Sequence, residues 1–346
     1  MTSSAELVSP ELVSDFRRIL DLIGDASSIA ISGHTSPDGD ALGSVLGLGM
    51  ALRSHFPLKS ITMLLADDAP VPRIYRFLEG SDELIPAARY DGDPDLFISV
   101  DVPVIDRLND SAQVLGRAAH VVAFDHHPAR GEFAEVSVRK VSAAACAVII
   151  QEFLAFADIG VTSSVATDLL CGIVTDTGRF QYQNADPAAF CSAAELVSCG
   201  ADPARIALEV YQSQRIEYLH LESIVMGRIR TIARGRVAYS YAYASDLESC
   251  GVTQDECDGL VDVVRSVMGV EVCLFLKEVE GGRVRGNLRS KGPLDVSGIA
   301  QEFQGGGHAA AAGFTYEGTI SETLKAALPM LAELVGEESG SIRVEL

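Results

Sequence analysis

Within seven residues, His34-Thr35-Ser36-Pro37-Asp38-Gly39-Asp40 brings together one imidazole and two carboxylates. Gly39 lets the chain turn tightly enough to aim the two aspartates at different targets. A bare Asp-x-Asp in a loop is more commonly a turn and helix cap, so this stretch alone leaves a metal role and a capping role both open. Three further endings carry the same chemistry. Asp101 closes the apolar run Leu96–Val100, Asp125-His126-His127 closes Val121–Phe124, and Asp176 follows Leu169–Val174. A single aspartate at a strand end is usually a turn residue. Four such endings converging on one sheet edge are hard to assign to capping, because crowded carboxylates repel and each resists desolvation. Cations at the centre remove that conflict. A mixed imidazole and carboxylate shell without thiolate suits hard divalent ions, with Mn²⁺ favoured by the imidazoles and Mg²⁺ or Co²⁺ as alternatives. Five carboxylates and three histidines are too many for one ion. Two ions about 3.5–4 Å apart suit in-line displacement at phosphorus, which makes the expected chemistry that of a binuclear phosphoesterase.

A second group lies towards the other end. Arg283-Val284-Arg285-Gly286-Asn287-Leu288-Arg289-Ser290-Lys291 carries four cations and no acid. A short basic run is ordinarily a solvated face. Here it precedes Gln304-Gly305-Gly306-Gly307-His308, whose glycines could expose consecutive backbone N–H groups to an anion while His308 adds a side-chain donor.

These residues need a scaffold. Leu12, Phe16, Ile19 and Ile23 recur at helical spacing and predict an opening amphipathic helix. Ser28–Ser32, Ile61–Ala66, Leu96–Val100 and His120–Phe124 are apolar without alternation, as strands covered on both faces are. Ala41–Arg53 and Ile74–Leu78 read as crossover helices, and Ser142–Phe156 and Ser163–Val174 as later ones. Strands alternating with helices predict an α/β fold with a doubly wound, mainly parallel sheet, whose ligands sit at the carboxyl ends of the strands. Helices are expected through 187–225. Beyond them come a strand pair in Arg228–Tyr243, a helix at Gln254–Val267 and a hairpin of Val270–Val279 with Arg283–Leu288 turned at Gly281-Gly282. Helices at Val296–Phe303 and Ser321–Leu334 close the chain around a glycine turn. The expected organisation is a catalytic domain over 1–186, a helical linker over 187–225 and a smaller α+β substrate-binding domain over 226–346.

Composition narrows the function. The 346 residues are 48% apolar, enough for about two self-supporting cores. Lys+Arg 27 against Asp+Glu 48 leaves a formal charge of -21, which opposes binding to long duplex nucleic acid. Seven cysteines without a CxxC pair fit reduced thiols, Cys171 among them as a packing residue. With no signal-like segment and no apolar run long enough to span a bilayer, the expected setting is cytoplasmic and without a membrane partner. His55, His120 and His220 read as surface or packing residues. Asp67-Asp68, ahead of Pro70 and Pro72, reads most simply as a loop, with a place near the ligand cleft as the alternative, and Arg73, Tyr75 and Arg107 read as helix-surface positions, with substrate contact as the alternative.

HTSPDGDALGS, Asp101, FDHHP and GIVTDTGRF, in this order, resemble the four motifs of the DHH phosphoesterases, named for the triplet at Asp125–His127. The likeness spans nearly the whole chain. It is strongest to the NrnA-type branch, nanoRNases that are also adenosine-bisphosphate phosphatases, with relatives acting on cyclic di-AMP. The resemblance implies one cation held by His34, Asp38 and Asp101, and a second by Asp40, Asp101, His126 and Asp176, with Asp101 shared. It implies that His127 faces the substrate, with a role as a further ligand as the alternative, and that Asp125 orients a histidine. The C-terminal part resembles the DHH-associated domain, which implies that Arg289, Ser290, Gly306, Gly307 and His308 grip the nucleotide end; Asn287 stands where relatives often carry serine. The implied activity is hydrolysis of very short RNAs, about two to five nucleotides, to mononucleotides by a homodimer, with 3′-phosphoadenosine 5′-phosphate and linear or cyclic di-AMP as further substrates. The competing expectations are a manganese pyrophosphatase, against which the Gly-Gly-Gly-His loop speaks, and a non-catalytic nucleotide sensor, against which the complete ligand set speaks. A RecJ-like exonuclease for long strands would want stacking aromatics in an electropositive channel, and this chain has no Trp.

Overall fold

The non-alternating apolar runs pair side by side as parallel strands in the computed structural model, which describes residues 9–128, 131–257 and 259–337. β1 (Ser28–Ser32), β2 (Ser60–Leu65), β3 (Ile85–Pro86), β4 (Leu96–Val100), β5 (His120–Asp125) and β6 (Val136–Arg139) form one sheet in the order β3-β2-β1-β4-β5-β6. Every pairing in it is parallel. Order reverses between β1 and β4, so the segments leaving these two strands turn away from each other and open the crevice where such sheets bind ligands. The sequence does not announce β3, which is only two residues long, or β6, a sheet-edge strand whose burial alternates.

Around this sheet pack α1 (Val13–Asp25), α2 (Gly39–His55), α3 (Ser111–Leu115), α4 (Cys146–Phe156), α5 (Ser163–Asp176), α6 (Pro187–Ser198) and α7 (Pro203–Tyr211). Phe16, Ile19 and Ile23 of α1, with Leu12 just before it, are buried as their spacing predicts. Two expected helices differ. Ile74–Leu78 is only a single 3₁₀ turn at Arg73–Tyr75, because Pro72 precedes it and Gly80, at φ 79°, turns the chain soon after. Ser142–Phe156 becomes helical only from Cys146, since Ala145 is fully extended (φ -160°, ψ 157°) and serves as the N-cap.

Helices α2 and α5 run antiparallel and unusually close. Gly39, Gly43 and Gly47 recur every fourth residue along one face of α2 and meet Thr175, Asp168 and Leu169 of α5. A Cβ at Gly43 would stand 2.2 Å from the Asp168 carbonyl oxygen, and one at Gly172 would stand 2.7 Å from Asp40 Oδ1. Glycine therefore sets how near the start of α2 comes to the end of α5, and so how near Asp40 comes to Asp176.

The chain divides into two compact units between Ser213 and Gln214. That boundary falls inside the stretch expected to be a linker. Its helices are shared out: Ala193, Leu196, Ile206 and Val210 of α6 and the segment beyond join the first core, whereas Tyr218, Leu221 and Val225 of α8 (Ile216–Gly227) join a core of the second unit. The physical reason is that each helix carries an apolar face that must be covered.

The second unit holds β7 (Arg230–Ile232), β8 (Val237–Ala242), α9 (Ala244–Cys250), α10 (Leu260–Arg265), β9 (Val272–Val279), β10 (Arg283–Ser290), α11 (Ser297–Glu302), β11 (Gly306–His308), β12 (Ala311–Glu317) and α12 (Ile320–Leu334). Its sheet runs β11-β12-β10-β9-β8-β7 and is antiparallel except for β8 with β9. One face buries Leu274, Leu288 and Phe314 against Leu324, Leu328 and Leu331 of α12. The other buries Ala238, Cys273 and Phe275 with Leu221, Leu260 and Val264.

Substituting Gly43→Ala is expected to destabilise the protein by about 1–3 kcal/mol through overpacking of the α2–α5 contact. Urea unfolding checks this against Gly24→Ala, where an added Cβ meets nothing within 4 Å. Equal midpoints for the two variants would show that the helices do not need glycine there.

Candidate active site

The strand ends and two helix ends bring the singled-out side chains of the first unit together. Asp38 does cap α2, as the plainer reading of the motif had it: its Oδ1 accepts from the amides of Asp40 (3.0 Å) and Ala41 (3.1 Å). The same oxygen lies 3.8 Å from His34 Nε2. Capping and clustering are thus not alternatives. Asp40, 1% exposed, reaches the N-terminus of α4, where its carboxylate accepts from the amides of Cys146 (2.6 Å) and Ala147 (2.9 Å). Unsatisfied amides and the helix dipole favour an anion at that position.

Asp101 sits at the switch between β1 and β4 with a left-handed backbone, φ 60°. Its Oδ2 lies 3.5 Å from His34 Nε2 and its Oδ1 3.4 Å from His126 Nε2. Oδ1 has no hydrogen-bond partner among the described residues. His126 Nδ1 lies 3.1 Å from the Ala143 carbonyl, so it is the N–H side, and Nε2 turns its lone pair to Asp101, Asp40 (3.8 Å) and Asp176 (3.7 Å). Asp125 Oδ1 accepts from His127 Nδ1 at 2.8 Å and from the His127 amide at 3.2 Å, while Arg139 Nε lies 3.3 Å from Oδ2. His127 is therefore held through Nδ1 and presents Nε2 as its other polar atom.

Electrostatics records the strain of gathering these groups. Burial and the charge of Asp101 push Asp40 well above the usual carboxyl range, with His126 opposing. Burial lifts Asp176 to about 6 against the pull of His126. Asp101 is held well below its ordinary value, because the imidazoles of His126 and His34 beside it outweigh its burial. Burial would lower both His126 and His34, but the carboxylates raise them: chiefly Asp176 and Asp101 for His126, and Asp101 and Asp38 for His34.

Such a cluster fits divalent cations. Donor atoms of His34, Asp38 and Asp101 lie within 4.8 Å of one another, as do those of Asp40, His126 and Asp176. Separations of 3.4–3.8 Å between imidazole and carboxylate are too long for good hydrogen bonds but leave room for a shared cation. The neighbouring thiols do not compete as ligands: burial pushes Cys146 well above its ordinary value, and its Sγ donates to the Phe124 carbonyl. Burial likewise raises Cys171.

In the second unit, Arg289 and Ser290 end β10, and Arg289 stands opposite Ala311 of β12, which in turn pairs with His308 of β11. Gly306, Gly307 and His308 thus form a short edge strand where the sequence suggested a loop. Gly307 is required there: its φ is 141°, and a Cβ would meet the Ala311 carbonyl at 2.4 Å. Arg289 Nε and Ser290 Oγ are buried without a hydrogen-bond partner among the described residues.

Three contributors escaped the sequence. Arg139 reaches Asp125 only through β5–β6 pairing. Arg107, on the 3₁₀ turn Ile105–Leu108, also brings Nη2 to 3.0 Å from His34 Nδ1. Asp67 is no plain loop residue: hydrogen bonds from Thr35, Ser36 and Asn109 outweigh its burial and lower its carboxyl from the ordinary value. Its place directly beyond an apolar strand, like that of Asp101, was the available signal.

The DHH family N-terminal domain matches residues 28–173 and the DHHA1 domain residues 235–337. A bifunctional oligoribonuclease and PAP phosphatase NrnA of Thermus thermophilus is 32% identical over 90% of each chain. The chain belongs to the DHH family. Its NrnA-type relatives include the Bacillus subtilis protein of the same description, 28% identical over 83% of this chain and 88% of its own. The DHH fold is shared with an exopolyphosphatase-related protein from Bacteroides fragilis, at TM-score 0.84 and 24% identity over 94% of this chain and 98% of that one. Membership makes this DHH protein a phosphoesterase, a hydrolase. No helix among its described residues is long and apolar enough to cross a membrane.

Asp125→Asn keeps an acceptor for His127 but removes the charge facing Arg139. Phosphoesterase activity is expected to fall about 10–100-fold, as it does when partners behind a metal or catalytic histidine are changed. Full kcat in steady-state assays would show that Asp125 does not hold His127 for catalysis.

Proposed function

We propose that this protein hydrolyses very short oligoribonucleotides to mononucleotides, using two divalent cations, Mn²⁺ by preference. The observation that carries the proposal is Asp101: its two oxygens lie 3.5 and 3.4 Å from the imidazoles of two separate donor groups, the arrangement a carboxylate shared between two ions requires. His34, Asp38 and Asp101 would hold one ion, and Asp40, Asp101, His126 and Asp176 the other. Bound there, the pair would supply Lewis-acid polarisation of the phosphoryl group and charge stabilisation at phosphorus. His127, steered by Asp125, offers Nε2 to stabilise charge on the phosphoryl oxygens or to protonate the departing oxygen. Arg289, Ser290, Gly306, Gly307 and His308 bind the nucleotide end, and the unpartnered Arg289 Nε and Ser290 Oγ support that role. Gripping one end instead of a length of backbone suits a chain of charge -21. The substrate class follows the two activities for which the NrnA relatives are named, oligoribonuclease and PAP phosphatase. Linear and cyclic di-AMP belong with 3′-phosphoadenosine 5′-phosphate as further substrates of the same site.

Product chromatography with Mn²⁺ tests this on an RNA series from dinucleotide to pentanucleotide, a long RNA, 3′-phosphoadenosine 5′-phosphate and pyrophosphate. Mononucleotides are expected from the short RNAs and little from the long one. Asp101→Ala should abolish turnover with the circular dichroism spectrum unchanged, and metal-stripped enzyme should be inactive until Mn²⁺ is restored. Rapid pyrophosphate turnover with inert RNA would replace the proposal with a pyrophosphatase. Tight nucleotide binding without turnover would replace it with a sensor.

A further inference from the structure

Between the end of β1 and the start of α2, the chain must present His34 and Asp38 within residues 33–38. It does so through a corner at Ser36, whose φ of 51° lies in the left-handed region that non-glycine residues avoid. Such a conformation persists only where its surroundings hold it. One carboxylate holds one side of it. Asp67, beyond the end of β2, accepts from Thr35 Oγ1 at 2.6 Å, from the Ser36 amide at 2.6 Å and from Asn109 Nδ2 at 2.8 Å. Asn109 is itself left-handed, at φ 43°. The opposite side of the corner is closed by the Thr35 amide, which donates to the Arg107 carbonyl at 2.7 Å, and by Arg107 Nη2, 3.2 Å from the Thr35 carbonyl. That carbonyl lies 2.8 Å from His34 Nδ1. When Nδ1–H donates to it, the lone pair of Nε2 faces Asp38 and Asp101. The position of the Thr35 peptide therefore sets the orientation of the imidazole.

We propose that Asp67 is a positioning residue for the first of the two cation groups. By pinning Thr35 and Ser36 it keeps the Thr35 carbonyl where it orients His34, and it keeps Asp38 across from the ring. The second group has its own supports: the α4 amides hold Asp40 and the Ala143 carbonyl holds His126. Asp67 thus serves one group and not the other, and that asymmetry separates positioning from a general role in folding. The inference rests on the proposal above only in taking the two groups as cation sites.

The test is titration of metal-stripped, full-length protein with Mn²⁺, followed by calorimetry and electron paramagnetic resonance, with the metal-free melting temperature measured alongside. Wild type should take up two ions per chain. Asp67→Ala and Thr35→Val should keep one site at wild-type affinity and weaken the other about tenfold or more. Thr35→Ser, which retains the hydroxyl, should restore both. Equal weakening of both sites, or two wild-type sites in both weakened-clamp variants, would overturn the proposal. Should Asp67→Ala fail to fold, two wild-type sites in Thr35→Val overturn it alone. Wild type that binds two ions yet leaves short RNA intact would refute the proposed function and leave this inference standing; wild type that binds none would refute both.

Discussion

The first unit is organised around a conflict: several buried carboxylates are held so close that they cannot all be charged without positive charge between them. Asp101 is the centre of that conflict. It is 2% exposed, it stands where the strand order reverses, and it faces an imidazole with each oxygen. Burial and mutual repulsion raise Asp40 and Asp176, and the carboxylates in turn raise the histidines. Divalent ions among these donor atoms would relieve the same crowding. Substrate chemistry at phosphorus then follows from a site made to concentrate positive charge in an acidic protein.

Keeping the conflict in place demands rigidity from elements with no chemistry of their own. The glycines of α2 let α5 approach until Asp40 and Asp176 share a site. The N-terminus of α4 has alanine as its N-cap, and the two amides that follow are satisfied by the Asp40 carboxylate arriving from another element. Left-handed backbone at Ser36, Asp101 and Asn109 gathers around the same cluster. Strain of this kind is tolerated where surrounding hydrogen bonds over-determine the chain, and the Asp67 contacts do so here. Catalytic placement and local instability are two aspects of one arrangement.

Much of this was legible beforehand. β1, β4 and the start of β5 fall where continuous apolar runs placed them, because strands covered on both faces leave no choice of residue type. His34, Asp38, Asp40, Asp101, His126 and Asp176 could be singled out because chemistry stood at the ends of those runs. Arg107 could not, since an arginine on a short turn looks the same whether it clamps a loop or faces water; Asp67 follows an apolar run as Asp101 does, but the prolines after it read as a plain loop. β11 was missed because three glycines carry no pattern; its pairing depends on Gly313, Ala312 and Ala311 of the neighbouring strand.

By itself, then, the sequence determined which side chains stand at the strand ends, the parallel sheet that presents them and the class of reaction, because residue type and hydrophobic period are local properties. Tertiary structure alone decided which carboxylate meets which imidazole, which amides stabilise Asp40, and that Arg139 stands behind Asp125. It also decided that the stretch expected as a linker is divided between two cores. Those outcomes depend on contacts between residues far apart in the chain, among them Asp40 with Cys146 and Thr35 with Asp67, and the spacing of neighbours carries no record of them.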